Sequence, residues 1–180
     1  MALPKEKLYT VDDIYALSDG TRAELIDGEM YMMAPPGWTH QQISMLLSSK
    51  IYQYISDKNG SCEVISAPFA VFLDNDDQTY LEPDISVICD KSKLDEKGCH
   101  GAPDWVIEIV SPSSRPRDYL KKLVKYQTAG VKEYWIVDPM KKLVIVYRFD
   151  ADEYSTPYTF TDEIPVGIYD GDLKLRIETE

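Results

Sequence analysis

The sequence predicts an α/β fold with a mixed central β-sheet flanked by helices and a β-rich C-terminal part. Short strand-like runs alternate with two stretches of helical apolar spacing, a strand–helix–strand unit spans residues 105–137, and every apolar run after residue 143 is strand-like. Of the 180 residues, 44% are hydrophobic, enough to form a sizeable core. We therefore expect one domain over residues 1–180.

Each predicted element has a local signal. Thr10 can cap the first helix, Asp27-Gly28 is a strong hairpin signal, and Gly130 can end the helix that precedes it. The predicted elements are, in order, a helix over 11–17, hairpin strands over 23–26 and 29–33, a helix over 39–57, strands over 63–66, 69–73, 85–89 and 105–110, a helix over 117–129, and strands over 133–137, 143–149, 154–161 and 173–177. We expect a turn at residues 74–77 and a polar loop at residues 90–101.

Composition limits the function classes. With 19 Lys and Arg against 31 Asp and Glu, the formal charge is -12. This balance argues against non-specific coating of nucleic acid, although a local basic groove is compatible with it. The opening residues lack the apolar core of a signal peptide and no run approaches ~20 apolar residues, so we expect a cytoplasmic protein that makes no membrane contact. The three cysteines form no CxxC pair, so we expect neither a disulfide framework nor a Cys-rich zinc site.

The strand over residues 105–110 contains the most informative side chain. Its residues alternate between two faces, and both faces are apolar except at Glu108. A strand of this kind is usually covered on both sides, so Glu108 is predicted to be buried. A buried carboxylate needs a metal ion, a lysine or an arginine to compensate it. A buried salt bridge, or an exposed edge strand, is the structural alternative.

Asp84 is a second carboxylate in a similar setting. Pro83 places it at the beginning of a strand, where an ordinary Asp makes local backbone hydrogen bonds. Together with Glu108 on a nearby strand, however, it forms a plausible pair. Two carboxylates and a few further oxygens suit Mg²⁺ or Mn²⁺.

A basic segment follows the Glu108 strand. Residues 115–125 carry a local charge of +4 in a chain of charge -12. Asp118, Lys122 and Tyr126 share one stripe of the predicted helix, while Leu120, Leu123, Val124 and Gln127 offer an alternative core-facing stripe. An exposed ion pair between Asp118 and Lys122 is the simpler interpretation. Two carboxylates and a lysine around a metal form a constellation for phosphodiester hydrolysis, which needs no His, Ser or Cys.

These residues resemble the PD-(D/E)XK restriction-endonuclease-like superfamily, and more narrowly its bacterial Uma-type restriction endonuclease family. The resemblance spans residues 8–178 in the same order. The matching pieces are residues 23–29, His40 at the start of a helix, 83–87, 108–113, 118–122 and 126–139. A plain ExK motif would place a lysine at position 110, where this chain has Val110. In the Uma-type pattern the lysine comes from the following helix, where Lys122 stands, with Lys121 and Lys125 as neighbouring alternatives.

The resemblance implies a restriction-endonuclease-like core, a metal-dependent endonuclease activity on DNA, a Mg²⁺ or Mn²⁺ cofactor and a homodimer whose interface involves the C-terminal strands, Trp135 or Trp38. It implies that Asp84, Glu108 and the backbone carbonyl of Ile109 are metal ligands and that Lys122 is the catalytic lysine. Glu24 resembles an additional acidic catalytic residue, and an exposed hairpin carboxylate is its alternative. His40 either faces the site or caps and packs its helix. Nucleic-acid contacts are expected from the basic segment at Arg115, Arg117, Lys121 and Lys125.

Two other functions remain open at this stage. One is a binding or regulatory protein that keeps the fold without cleaving, which the acidic charge favours. The other is a hydrolase of a different phosphate ester. Intact Asp84, Glu108 and Lys122 favour an enzyme over the first of these, and no feature of the sequence separates a nuclease from the second.

Overall fold

A computed structural model describes residues 7–73, 77–112, 114–151 and 154–178. Its helices are α1 (Val11–Tyr15), α2 (Trp38–Asp57) and α3 (Leu123–Ala129). Its strands are β1 (Arg22–Ile26), β2 (Glu29–Met33), β3 (Glu63–Ser66), β4 (Val71–Phe72), β5 (Ile85–Ile88), β6 (Leu94–Asp95), β7 (Gly98–His100), β8 (Trp105–Ile109), β9 (Glu133–Asp138), β10 (Leu143–Arg148), β11 (Ser155–Thr159), β12 (Ile164–Pro165) and β13 (Lys174–Leu175). The predicted turn at residues 74–77 lies, apart from Asp77, outside these residues.

Six strands form the central sheet in the order β11-β10-β9-β8-β5-β3. Strands β8 and β9 are parallel and are joined through α3, whereas the other neighbours are antiparallel. The sheet is therefore mixed, and β10 with β11 extends it at one edge, which confirms the predicted fold class. The Asp27-Gly28 hairpin also forms, with Ile26 opposite Glu29.

Helix α2 covers one face of the sheet. Its side chains Ile43, Leu47 and Ile51 are fully buried against apolar residues of β5, β8 and β9. The opposite face packs against α3, the β1–β2 hairpin and the short strands β4 and β7. Because both faces are covered, the central strands are buried on both sides.

The polar loop predicted over residues 90–101 is wrong in part, because it contains β6 and β7. Asp95 organises this small hairpin: its Oδ1 accepts hydrogen bonds from the backbone N–H groups of Lys97 (2.7 Å) and Gly98 (3.1 Å). Strand β7 then pairs in parallel with β4. Local carboxylate-to-backbone bonds of this kind define a turn that hydrophobic periodicity does not show.

The expectation that the cysteines form no disulfide is also corrected. Cys62 and Cys89 are bonded, and Cys99 is buried as a free thiol. The reason is the antiparallel register of β3 and β5, in which Glu63 lies opposite Ile88. The next position on each strand, Cys62 and Cys89, is thereby brought side by side, although 27 residues separate them in the chain.

The two tryptophans suggested for a subunit interface differ in solvent exposure. Trp135, one of the residues suggested for a subunit interface, is fully buried, so it cannot form one. Trp38 is 76% exposed. Within the described residues, no helix is both long enough and apolar enough to cross a bilayer.

Candidate active site

Strands β5 and β8 bring the two predicted carboxylates to one place. Asp84 immediately precedes β5, and the pairing of Ile85 with Ile107 sets it beside the end of β8. There Asp84 Oδ2 accepts a hydrogen bond of 2.7 Å from the backbone N–H of Ile109, the residue after Glu108. The Asp84 carboxylate is therefore tied to the backbone that carries Glu108.

Glu108 is buried in the centre of the sheet, with 4% of its surface exposed, so the sequence-based expectation of burial is confirmed. Its Oε1 accepts hydrogen bonds from Lys122 Nζ (2.8 Å) and from the Tyr126 hydroxyl (2.7 Å). Burial raises the pKa of Glu108 well above its usual value, and the Lys122 ammonium offsets only part of that effect. The alternative of an exposed edge strand is wrong.

Lys122 lies among three carboxylates. Its Nζ is 2.7 Å from Glu24 Oε1, 2.8 Å from Glu108 Oε1 and 3.5 Å from Asp118 Oδ1. Burial disfavours the ammonium form, but Glu108, Glu24 and Asp118 outweigh burial and raise the pKa of Lys122 above its usual value. Lys122 is therefore a charged ammonium throughout the physiological pH range.

The helix that carries Lys122 begins as a π-helix over Arg117–Lys122 and continues as α3. Asp118, Lys122 and Tyr126 are buried on it, whereas Leu120 and Val124 are 67% and 60% exposed. The polar stripe thus faces the sheet, and the alternative apolar stripe is wrong. The physical reason is that Glu24 and Glu108 on the sheet side neutralise the buried ammonium. Looser π-helical turns occur often at functional sites.

Two residues of this stripe were assigned no role from the sequence. Tyr126 donates to Glu108, and Asp118 is the third carboxylate beside Lys122. Burial raises the pKa of both groups, although Lys122 opposes the shift at Asp118. The available signal was their spacing of four residues on either side of Lys122.

Glu24 enters the same cluster from β1. It is fully buried, so the alternative of an exposed hairpin carboxylate is wrong. Glu24 Oε1 accepts from Lys122 and from the backbone N–H of Glu82 (3.2 Å). Glu24 Oε2 lies 3.5 Å from Arg117 Nε and has no hydrogen-bond partner among the described residues.

His40 faces the site from the first turn of α2. Its Nε2 is 3.1 Å from Asp84 Oδ1. Burial favours the neutral ring, but the hydrogen bond to Asp84 and its charge outweigh burial and raise the pKa of His40. The alternative of a residue that only caps or packs the helix does not account for this contact.

These side chains line one cleft of about 490 Å³. Five acidic and three permanently charged basic side chains line it: Glu24, Glu82, Asp84, Glu108, Asp118, Arg22, Arg117 and Lys122. Arg22 is paired with Glu82, which leaves an excess of carboxylate around the deeper residues. The cleft is therefore acidic at its floor.

The donor chemistry of the floor fits a hard divalent cation. Carboxylate oxygens are in excess, and Glu24 Oε2 and Asp118 Oδ1 are buried without a hydrogen-bond partner among the described residues. No three described His, Cys, Asp or Glu side chains are arranged to hold an ion together. This does not conflict with Mg²⁺, which is usually held by one or two carboxylates and completed by water and phosphate oxygens.

The predicted nucleic-acid-binding residues divide into two groups. Arg117 lines the cleft, whereas Arg115, Lys121 and Lys125 do not. Arg115 Nη2 is 2.8 Å from Asp138 Oδ2, Lys121 bonds Glu29 and the Tyr31 hydroxyl, and Lys125 Nζ is 2.5 Å from Asp27 Oδ1. Lys121 and Lys125 thus contact the β1–β2 hairpin, while Lys122 alone of the three lysines is in the cluster.

The chain is similar to known proteins in sequence and in fold. The model of the Uma2 family, described as "Putative restriction endonuclease", matches residues 10–171. An uncharacterized protein of Synechocystis sp., slr1290, is 27% identical over 130 residues, covering 72% of this chain and 67% of that protein.

A solved structure also resembles the fold. It is a protein of Anabaena variabilis described as "a putative nuclease belonging to DUF820", with a TM-score of 0.75, 23% identity, and coverage of 93% of this chain and 94% of that one. The likeness shows a shared fold. Since the family model covers most of its length, the chain belongs to the Uma2 family of restriction-endonuclease-like proteins.

Proposed function

We propose that the protein is a metal-dependent endonuclease that hydrolyses phosphodiester bonds in DNA. The observation that carries the proposal is the buried lysine held between two carboxylates at the floor of a cleft that Asp84 also lines. A purely structural salt bridge has no need of a cleft that opens onto it. Membership of the Uma2 family supports a nuclease over other phosphate-ester hydrolases.

Asp84, Glu108 and the carbonyl oxygen of Ile109 are the residues that would hold Mg²⁺ or Mn²⁺. A bound ion of this kind polarises the scissile phosphate and lowers the pKa of a water molecule. The chain's own contribution is to fix the donors. The Ile109 N–H holds Asp84, and Tyr126 holds Glu108, so both carboxylates are fixed in position by the protein.

Lys122 supplies the fixed positive charge. As an ammonium it donates hydrogen bonds, and at the cleft floor it stabilises negative charge that develops on the phosphate or orients the attacking water. Glu24 is its positioning residue, because its Oε1 holds the ammonium at 2.7 Å from strand β1. Lys121 and Lys125 do not line the cleft and pair with Glu29 and Asp27 instead, so we assign this role to Lys122.

Arg117 is the proposed phosphate contact in the cleft. It lines the cleft, and its Nε is 3.5 Å from Glu24 rather than in a tight pair. Contacts of Arg115, Lys121 and Lys125 with DNA stay a prediction, and each would first have to exchange an acidic partner within the protein for a phosphate. We therefore expect modest affinity that falls as salt rises.

Nuclease assays with plasmid and oligonucleotide DNA test the proposal. The wild type should cleave with Mg²⁺ or Mn²⁺ and not with a chelator. Asp84→Asn and Glu108→Gln should lose roughly 10³-fold or more in rate, corresponding to about 4 kcal/mol of barrier. Lys122→Met should lose rate to a similar extent and yet keep metal binding in calorimetric titrations, because it removes a cation from beside the ion.

Glu133→Gln is the matched control. Glu133 is also a buried strand carboxylate, but it lies outside the cleft and bonds Trp135 Nε1 and the backbone N–H of Ile168. It should leave cleavage unchanged. Metal binding that persists unaltered in both Asp84→Asn and Glu108→Gln would show that the site is misplaced, and DNA left intact under every condition would favour a binding protein.

The proposal includes a homodimer, as the resemblance predicts. Strand β11 is the last strand at one edge of the central sheet, which is where we propose that the second copy packs. Size-exclusion chromatography with light scattering should give about twice the monomer mass. A monomer at all accessible concentrations would remove this part of the proposal.

A further inference from the structure

We infer that the cleft admits an unpaired DNA strand and not an intact duplex. This inference rests on the proposed function and specifies its substrate. Three features carry it: the depth of the acidic floor, the internal pairing of most basic side chains next to the cleft, and exposed apolar side chains around its opening. Each feature is independent of the metal.

The reacting groups lie deep. Glu24, Glu108 and Lys122 are each at least 96% buried, although all three line the cleft. The cleft volume of about 490 Å³ is that of a small-molecule pocket rather than of a groove that holds a double helix. A duplex presents its phosphates on the surface of a wide, stiff rod. A strand without a partner can bend its backbone into a recess of this size.

The charges do not favour a duplex. Duplex binding depends on Lys and Arg side chains that neutralise many phosphates at once. Here the chain carries a formal charge of -12, and three of the five basic side chains in the segment next to the cleft, Arg115, Lys121 and Lys125, are paired with Asp138, Glu29 and Asp27. A short strand needs fewer neutralising contacts, and Arg117 in the cleft can provide one.

The rim supplies apolar surface instead of charge. Met32 and Met140 come from distant parts of the chain, line the same cleft, and are 59% and 69% exposed. Trp38 does not line the cleft itself, but it is 76% exposed and lies beside the opening, between the lining residues Gly37 and Thr39. An aromatic ring such as that of Trp38 stacks on the faces of unpaired bases without regard to sequence, and the flexible methionine side chains can pack against the same faces. In a duplex those faces are covered by neighbouring bases.

The rim is also preformed. Met32 lies on β2, and residues 34–37 read Ala-Pro-Pro-Gly, so two fixed proline φ angles stiffen the connection to α2. Trp38 then begins a helix of 20 residues that packs on the sheet. A rim held in this way loses little conformational freedom when a base stacks on it.

Trp38 provides a direct readout. Of the three tryptophans, Trp105 and Trp135 are fully buried and only Trp38 is exposed. Base stacking on Trp38 should therefore quench the exposed part of the protein fluorescence. Binding is measured with Ca²⁺ by the anisotropy of labelled oligonucleotides of equal length: single-stranded, fully paired, and paired with a central unpaired stretch. Cleavage of the same three is then followed with Mg²⁺ or Mn²⁺.

The single strand and the unpaired stretch should bind at least about tenfold more tightly than the duplex, and cleavage should follow the same order. Trp38→Ala should remove the quenching. Combined Met32→Ala and Met140→Ala should weaken single-strand binding by roughly tenfold, which is typical of a lost base stack. Met45→Ala and Tyr52→Ala are the matched controls, since both residues are exposed on α2 but do not line the cleft.

The failures are distinguishable. If the duplex is bound and cleaved as well as the single strand, and the rim variants behave like the two controls, the inference is overturned while the proposed nuclease stands. If no form of DNA is bound or cleaved, both are overturned. All the substituted side chains are exposed, so unchanged melting temperatures should show that the variants are folded.

Discussion

The two faces of the central sheet use the same strands but bury different chemistry. On the face beneath α2, β8 contributes Trp105, Ile107 and Ile109 to an apolar core. On the opposite face the same strand contributes Glu108 to a cluster of ionisable groups around Lys122. Because side chains alternate along a strand, adjacent residues serve as scaffold and as site. Substitutions one residue apart should therefore have different consequences.

The α2 face gains stability from apolar burial, whereas the site face balances desolvation against charge pairing. In the cluster, one lysine compensates three carboxylates, and raised pKa values at Glu108 and Asp118 show that the compensation is incomplete. The site therefore depends on the rigid apolar face for its geometry. The following predictions test this division, from the largest expected effect on stability to the smallest.

Lys122→Met should be the most destabilising substitution. It leaves Glu24, Glu108 and Asp118 buried together with only the longer contact from Arg117 to Glu24 (3.5 Å), and breaking a buried ion pair from one side costs about 3–5 kcal/mol. Urea denaturation at pH 7 measures the change. Lys132→Met, which breaks the more exposed pair with Asp104, is the control and should cost under about 1 kcal/mol. Equal effects would mean that the cluster is solvated.

Ile107→Ala should destabilise the α2 face by about 2–5 kcal/mol, because Ile107 is fully buried and the substitution leaves a cavity. Metal binding measured on the folded variant should be unchanged, since Ile107 points away from the cleft. The exposed Met45→Ala on α2 should change stability by less than about 0.5 kcal/mol. If fully folded Ile107→Ala binds metal more weakly than the wild type, packing on the α2 face affects the site on the opposite face of the sheet.

Local patterns predicted the strands of the sheet well. The alternation of side chains along a strand and the type of a turn are both determined by residues that are neighbours in the sequence. Asp27-Gly28 fixed the hairpin position, and the apolar setting of Glu108 indicated its burial. The strand predicted over residues 69–73 shortened to Val71–Phe72, and that over 173–177 to Lys174–Leu175. The strand that pairs with each of these strands determines where it ends. Strand propensity along the chain carries no information about that partner.

Features that depend on strand register, or on the packing of elements distant in the chain, could not be predicted from the sequence. The Cys62–Cys89 bond follows from the pairing of β3 with β5, and the burial of Glu24 follows from the hairpin packing beside Lys122. The contact between His40 and Asp84 joins residues 44 positions apart through the packing of α2. The charge pattern of the basic segment was visible, but its internal ion pairs with Asp27 and Glu29 were not.

Tyr126→Phe should have an intermediate effect. It removes the hydroxyl that donates to Glu108 Oε1 at 2.7 Å but keeps the buried ring, so we expect a loss of about 1–2 kcal/mol. Glu108 would also be held less firmly, and calorimetry should show weaker metal binding. Tyr52→Phe, at an exposed position of α2, should change neither quantity. If Tyr126→Phe binds metal as tightly as the wild type, the Tyr126 hydroxyl does not contribute to the metal site and the residue serves only in packing.

Glu108→Gln should have the smallest effect on the free energy of unfolding at neutral pH. The size and sign of that effect should depend on pH. Burial raises the folded-state pKa of Glu108 above the usual 4.5. The native state therefore takes up this proton more readily than the unfolded state, so the stabilising contribution is complete below about pH 4.5 and is lost as pH rises through the folded-state pKa. Glutamine removes this contribution and mimics the protonated form at every pH.

The difference in unfolding free energy between wild type and Glu108→Gln should consequently vary with pH. Near pH 8 the variant should equal or exceed the wild type, because a buried charge is gone while Lys122 keeps Glu24 and Asp118 as partners. As pH falls toward 4.5 the wild type should gain relative to the variant. Groups remote from Glu108 titrate alike in both proteins and cancel, so the difference reports Glu108 together with its coupled neighbours Asp118 and Lys122. Urea denaturation at several pH values from 4.5 to 8 measures it, and a difference that does not change with pH would mean that Glu108 titrates in the folded protein as it does in the unfolded chain.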